Sequence, residues 1–240
     1  MRYKIDLTYN GSEFYGWQRQ ENVNSVQQTI EDAFFLIFKE KIELIGCGRT
    51  DTGVHAKIFT AHFDSEKIFN ENHVKKLNRY LPNSISIFNI FQVCFDFHAR
   101  FSAKNRTYQY WIYTTKNPFY NKLSWYIPQK LDIEKMQTAA NKLYNYTDFT
   151  SFSKLHTDVK NNNCEILKAE FIVNQEYIVF EITANRFLRN MVRAIVGTLV
   201  EVGKGKISIE NFEKIIESKN RQNAGQSAPA EGLFLIDIEY

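Results

Sequence analysis

Residues Arg2 to Tyr9 alternate without a break: Tyr3, Ile5, Leu7 and Tyr9 are apolar, and Arg2, Lys4, Asp6 and Thr8 between them are polar. A period of two predicts a strand with one face in a core and the other in water. The pattern recurs. Ile58–Asp64, Ile85–Val93, Arg106–Tyr113 and Leu233–Glu239 read as strands. Ile166–Val173 and Tyr177–Thr183 read as a hairpin around Asn174-Gln175-Glu176. Between them run stripes of helical period. Ser25 opens a helix carrying Val26, Ile30, Ala33, Phe34 and Ile37, with Gln28 as its capping-box partner. Val74, Leu77, Tyr80 and Leu81 mark a short helix stopped by Pro82. Asp132 and Ser208 open two more, and Phe187–Val202, apolar on most sides, reads as a buried helix. Long alternating strands favour antiparallel sheets with helices on one face. The expected fold is α+β, in two halves of similar order. The first, 1–104, carries a polar glycine-rich loop. The second is 105–240.

Composition narrows the function classes. The chain has 240 residues, enough for a sizeable core, and only 10 glycines and 4 prolines, which argues against long flexible linkers. A net charge of +3 is too small to announce a nucleic-acid binder by itself. No run of about 18 apolar residues predicts a membrane span. The N-terminal residues lack the apolar region of a signal peptide. Cys47, Cys94 and Cys164 are odd in number and widely spaced, giving neither a disulfide framework nor a zinc site. These features predict a reducing, cytoplasmic setting.

The most informative segment is Gly46-Cys47-Gly48-Arg49-Thr50-Asp51-Thr52-Gly53-Val54-His55-Ala56, set between strand-like runs. Three glycines allow tight turns and leave Arg49, Asp51 and His55 on display. A carboxylate so placed can serve as nucleophile or general base. A plain turn, with Thr50 and Asp51 capping amides, is the alternative. A phosphate loop fails, because Asp51 stands where the dinucleotide fingerprint needs glycine and no Gly-Lys-Ser/Thr follows. Asp51-Thr52-Gly53 also matches the aspartic-protease tripeptide, but in a single copy where two carboxylates are needed.

Gly48 to Ala56 resembles the signature of the tRNA pseudouridine synthase A family. Further segments agree in order: Tyr9-Asn10-Gly11 with Gly16-Trp17-Gln18, Phe97 to Ala103, Arg106 to Tyr110, Phe187 to Gly197, and Ala228-Pro229-Ala230 before Gly232-Leu233. The resemblance spans residues 3 to about 236. One departure is Cys164, near where the family usually carries an arginine.

The resemblance implies isomerisation of uridine to pseudouridine at tRNA positions 38 to 40, in the anticodon arm, by a homodimer. It implies two halves whose antiparallel sheets join into a central sheet flanked by helices, with an active-site cleft between them. No metal, nucleotide or redox cofactor is required. Asp51 matches the catalytic aspartate, which attacks C1′ or abstracts a sugar proton to give a glycal; both routes stay open. Tyr108 matches the active-site tyrosine and Arg193 the basic partner of the aspartate, expected to be buried with it. Arg49, His55, Arg100, Arg106, Tyr110 and Arg189 are candidates to hold the RNA, with an ordinary structural role equally open for His55. A tRNA-binding chaperone without activity is the alternative from another class; intact Asp51, Tyr108 and Arg193 argue against it.

Overall fold

A computed structural model describes residues 1–154 and 161–240. The chain is α+β, with nine strands and five α-helices among the described residues. It divides into two compact units, Met1–Lys104 with Phe234–Tyr240, and Asn105–Leu233.

In the first unit β1 (Arg2–Tyr9) runs antiparallel between β3 (His55–Asp64) and β4 (Ile85–Val93). The short β2 (Ile45–Gly46) adds to β3. Alternation along β1 fixes its register: Tyr3, Ile5, Leu7 and Tyr9 are at most 3% exposed. Helix α1 (Val26–Phe38) covers that face. Ser25 Oγ accepts from Gln28 N–H, and Phe34 packs edge-on to Phe63 with centroids 5.2 Å apart. Helix α2 (Glu71–Tyr80) starts at a capping box of Asn70 and His73. Its Asn78 side chain donates to the Ile87 carbonyl and accepts the Ile87 N–H, both at 2.8 Å, where β4 slips register against β1. That amide satisfies backbone groups at an irregularity, as buried ladders require.

The closing strand β9 (Leu233–Glu239) departs from the chain-order division into halves. Phe234 and Leu235 pair, parallel, with His55 and Ala56 of β3, so the last residues complete the first unit. This pairing makes the sheet mixed.

In the second unit β8 (Tyr177–Ala184) lies antiparallel between β5 (Asn105–Tyr113) and β7 (Ile166–Val173), and β6 (Trp125–Tyr126) adds parallel to β5. The predicted hairpin closes through Asn174 N–H on the Tyr177 carbonyl at 2.9 Å. Helices α3 (Ile133–Asn141), α4 (Met191–Gly203) and α5 (Ile209–Glu217) supply the core with Met136, Ile195, Leu199 and Phe212, none measurably exposed. Asp132 and Ser208 cap α3 and α5 as expected. Helix α4 starts at Met191, later than the apolar run suggests, because Asn190 takes a left-handed φ of 66° and breaks the turn there. Among the described residues no helix is long and apolar enough to cross a membrane.

Candidate active site

The Asp51 loop leaves β2, turns through Cys47 to Val54 and enters β3. Its stem is tied by Cys47 N–H on the Thr60 carbonyl at 2.8 Å. Val54 N–H donates to the Asp51 carbonyl at 3.1 Å, closing a tight turn in which Gly53 takes a φ of 80°. The three glycines do different work. Only Gly53 needs a left-handed backbone. Gly46 lies against the Trp17 indole, and a Cβ at Gly48 would meet nothing within 4 Å. Asp51 is half-buried, Thr50 before it is buried and Arg49 is exposed.

The segment after β1 clamps this loop. Tyr9 and Thr50 share a buried hydroxyl–hydroxyl hydrogen bond of 2.8 Å. Trp17 N–H donates to the Thr50 carbonyl at 3.3 Å, and Gly53 N–H donates to the Phe14 carbonyl at 3.3 Å. A Cβ on Gly11 would run into the Val54 carbonyl oxygen, and one on Gly16, whose φ is 89°, into the Thr50 carbonyl. Trp17 stacks on Phe59 of β3, centroids 3.9 Å apart and planes 26° off parallel. Sequence reasoning did not give Tyr9, Gly11 and Gly16 this role. Their spacing is local to another segment, and only the pairing of β1 with β3 brings them to the loop.

Two of the candidate residues are buried. His55 is 1% exposed, accepts the Gly11 N–H on Nδ1 at 3.0 Å and stacks on Phe234 with centroids 4.5 Å apart. A ring so enclosed supports the loop, the structural role that stood open for it. Tyr110 is fully buried; its hydroxyl donates to the Pro229 carbonyl at 2.8 Å and its ring fills the space a Cβ on Gly232 would need. Burial pushes its phenol pKa well up, so it stays a neutral donor. Tyr110 belongs to the core, where it ties β5 to the segment before β9.

Tyr108, two residues earlier on β5, is half-buried and meets Phe187 edge-on at 5.1 Å. Arg106 is half-buried and donates from Nη1 to the Asn185 carbonyl at 3.1 Å. Arg193, on the first turn of α4, is half-buried where full burial was expected. Its Nε donates to the Ala228 carbonyl at 2.8 Å, and Ala228 N–H returns a bond to the Arg193 carbonyl at 2.9 Å. This reciprocal pair joins Ala228-Pro229-Ala230 to the first turn of α4. The exchange aims the guanidinium while its backbone holds the chain. Arg189 and Arg100 are exposed. Cys164 is 2% exposed, and burial pushes its thiol up to about 11, so it is inert at neutral pH.

The model of the family described as tRNA pseudouridine synthase matches residues 7–102 and 139–240, most of both units. The chain belongs to the tRNA pseudouridine synthase family. A Bacteroides fragilis tRNA pseudouridine synthase A is 51% identical over 242 residues, covering 100% of this chain and 96% of the relative. The protein of that name from Porphyromonas gingivalis is 49% identical, covering 100% and 97%. A Bacillus cereus tRNA pseudouridine synthase A 2 is 40% identical, covering 99% of each. The family match over residues 7–102 includes both the Tyr9–Trp17 clamp and the Asp51 loop.

One prediction concerns the clamp. Tyr9→Phe removes one hydroxyl and leaves the ring, so its expected cost in stability is about 1 kcal/mol. Turnover is expected to fall further, several-fold in kcat, because the lost bond holds the residue beside Asp51. Thermal unfolding and single-turnover kinetics separate the two; an unchanged kcat would show that this bond does not position the loop.

Proposed function

We propose that this chain is a tRNA pseudouridine synthase that isomerises uridine to pseudouridine in the anticodon arm at positions 38 to 40. The observation that carries the reading is the family match across most of the chain, joined to relatives of that name that cover it from end to end. The N1–C1′ bond breaks, the uracil turns while bound, C5 bonds to C1′, and the proton from C5 is lost as N1 gains one. The product is an isomer of the uridine, and the hydrogen leaving C5 goes to water.

We assign Asp51 as the catalytic carboxylate, either as nucleophile at C1′ or as base toward the sugar. Both roles need it ionised, and it sits half-buried on its loop. Arg193 is assigned to hold negative charge, with its Nε anchored on Ala228. Tyr108, half-buried with its ring buttressed by Phe187, is assigned to face the uracil. Uridine in a stacked arm has to leave the stack before a carboxylate reaches its sugar. The exposed Arg49, Arg100 and Arg189, with half-buried Arg106, are assigned to the RNA backbone.

The enzyme is proposed to act in the cytoplasm as a homodimer. A formal charge of +3 per chain is a weak field for a polyanion, and two copies double it. With about six phosphates contacted, log affinity for tRNA is expected to fall with log salt at a slope of roughly −4 to −5. A flat salt titration would contradict the basic contact surface, and a stable monomer by sedimentation at micromolar concentration would contradict the dimer. The functional test is a map of pseudouridine in tRNA from cells with and without this protein. Loss confined to the anticodon arm is expected. An unchanged map would overturn the reading, and a chain that binds tRNA without altering it would be a chaperone.

A further inference from the structure

Phe101 is 74% exposed, on the turn that follows Phe97. A single exposed ring needs no explanation by itself. This one stands on a turn tied by hydrogen bonds. His98 Nδ1 accepts the N–H groups of Arg100 at 3.2 Å and Phe101 at 3.3 Å. Ser102 Oγ accepts the His98 N–H at 3.0 Å, and Ser102 N–H donates to the His98 carbonyl at 2.8 Å. The base of the turn is anchored from inside the unit. Buried His62 accepts the Ala99 N–H at 3.1 Å, and the Tyr240 hydroxyl donates to the Ala99 carbonyl at 2.8 Å.

The two histidines serve as acceptors only while neutral at Nδ1. Burial, with His98 next in effect, pulls His62 down to about 4; burial also lowers His98. The turn is therefore set at neutral pH. It presents Phe101 beside the exposed Arg100, whose guanidinium carbon lies 5.5 Å from the ring centroid, while the His98 imidazole lies 4.3 Å away at 37°. Ordering a phenylalanine that stays in water costs conformational freedom and returns little burial. An exposed ring on a hydrogen-bonded turn, with a cation beside it, matches what unpaired nucleic acid offers: a π-face to stack and a phosphate to neutralise.

We propose that Phe101, with Arg100 beside it, is a stacking platform for one unpaired base of the tRNA, on a turn separate from the Asp51 loop. The inference rests on the reading of tRNA as substrate. A base in a paired stem keeps its faces covered, so the platform takes a loop or splayed nucleotide. The contribution is to binding and register, not to the bond-breaking step.

The test uses the full chain and an unmodified tRNA transcript, with three variants: Phe101→Ser, Phe101→Leu and Phe101→Trp. Loss of one stacked base is expected to weaken Kd and raise KM roughly 5- to 100-fold, with the change falling on KM far more than on kcat. Ser and Leu are expected to be weak alike, because leucine has apolar bulk without a π-face, and Trp is expected to recover most of the affinity. Thermal unfolding is expected to stay near wild type for an exposed position. Ser binding within twofold of wild type, or Leu recovering as well as Trp, would overturn the platform. So would a changed sedimentation coefficient with unchanged tRNA binding, which would mark a contact between copies of the chain. If the wild-type chain forms no pseudouridine, the functional reading fails, and the Kd series still decides the platform on its own.

Discussion

Asp51→Asn is expected to abolish pseudouridine formation, by at least about 1,000-fold in turnover, with fold and tRNA affinity near wild type. Asparagine keeps the size and shape of the side chain and removes the anionic oxygen on which either route depends. The position is half-buried, and the loop around it is held by backbone bonds and by Tyr9, Trp17 and Phe14, none of which uses the carboxylate. Pure variant protein assayed by tritium release or by mapping of a tRNA transcript measures the turnover. More than a trace of activity would remove Asp51 from the chemistry.

The second large effect is expected at Gly11, outside the signature loop. A Cβ there would overlap the Val54 carbonyl oxygen, and both partners are backbone, so no side chain can swing away. The strand end or the loop must move. Overpacking of this kind typically costs about 1–3 kcal/mol, and in a chain of this size that lowers Tm by roughly 3–10 °C. The same shift disturbs the Gly11–His55 hydrogen bond of 3.0 Å and displaces the loop that carries Asp51. Displacement near 1 Å at a reacting group costs about 100-fold in rate. Gly11→Ala is thus expected to lose both Tm and turnover. Gly48→Ala, where a Cβ meets nothing within 4 Å, is expected to leave Tm within about a degree. Equal Tm values for the two variants would show that the Gly11 contact is not rigid.

Local periodicity carries much of this fold. Strand β1, the bounds of β4 and β7, and the caps at Ser25, Asp132 and Ser208 follow from alternation and capping chemistry alone. The misses are long-range. Strand β9 reads as an ordinary closing strand, and nothing in its own residues says that it pairs parallel with His55 and Ala56. Strand β3 starts at His55 instead of Ile58, because Val54, His55 and Ala56 are buried by partners from β1 and β9. β2 is only Ile45–Gly46, too short for alternation to show.

The candidate site divides the same way. The loop with Asp51 stands out as polar residues among glycines. Which aromatic or histidine faces outward does not, since burial is set by what packs from elsewhere. His55 and Tyr110, both named as candidates to hold RNA, are buried among partners from distant segments. Phe101, inside the Phe97 to Ala103 segment, lies 74% exposed.

The most direct test of the account is incubation of the purified chain with an unmodified tRNA transcript, without added metal or cofactor, followed by pseudouridine mapping at single-nucleotide resolution. Pseudouridine appearing at positions 38 to 40 with wild type and absent with Asp51→Asn is the predicted result. An unmodified transcript with folded, tRNA-binding wild-type protein, or equal modification by both proteins, would contradict it.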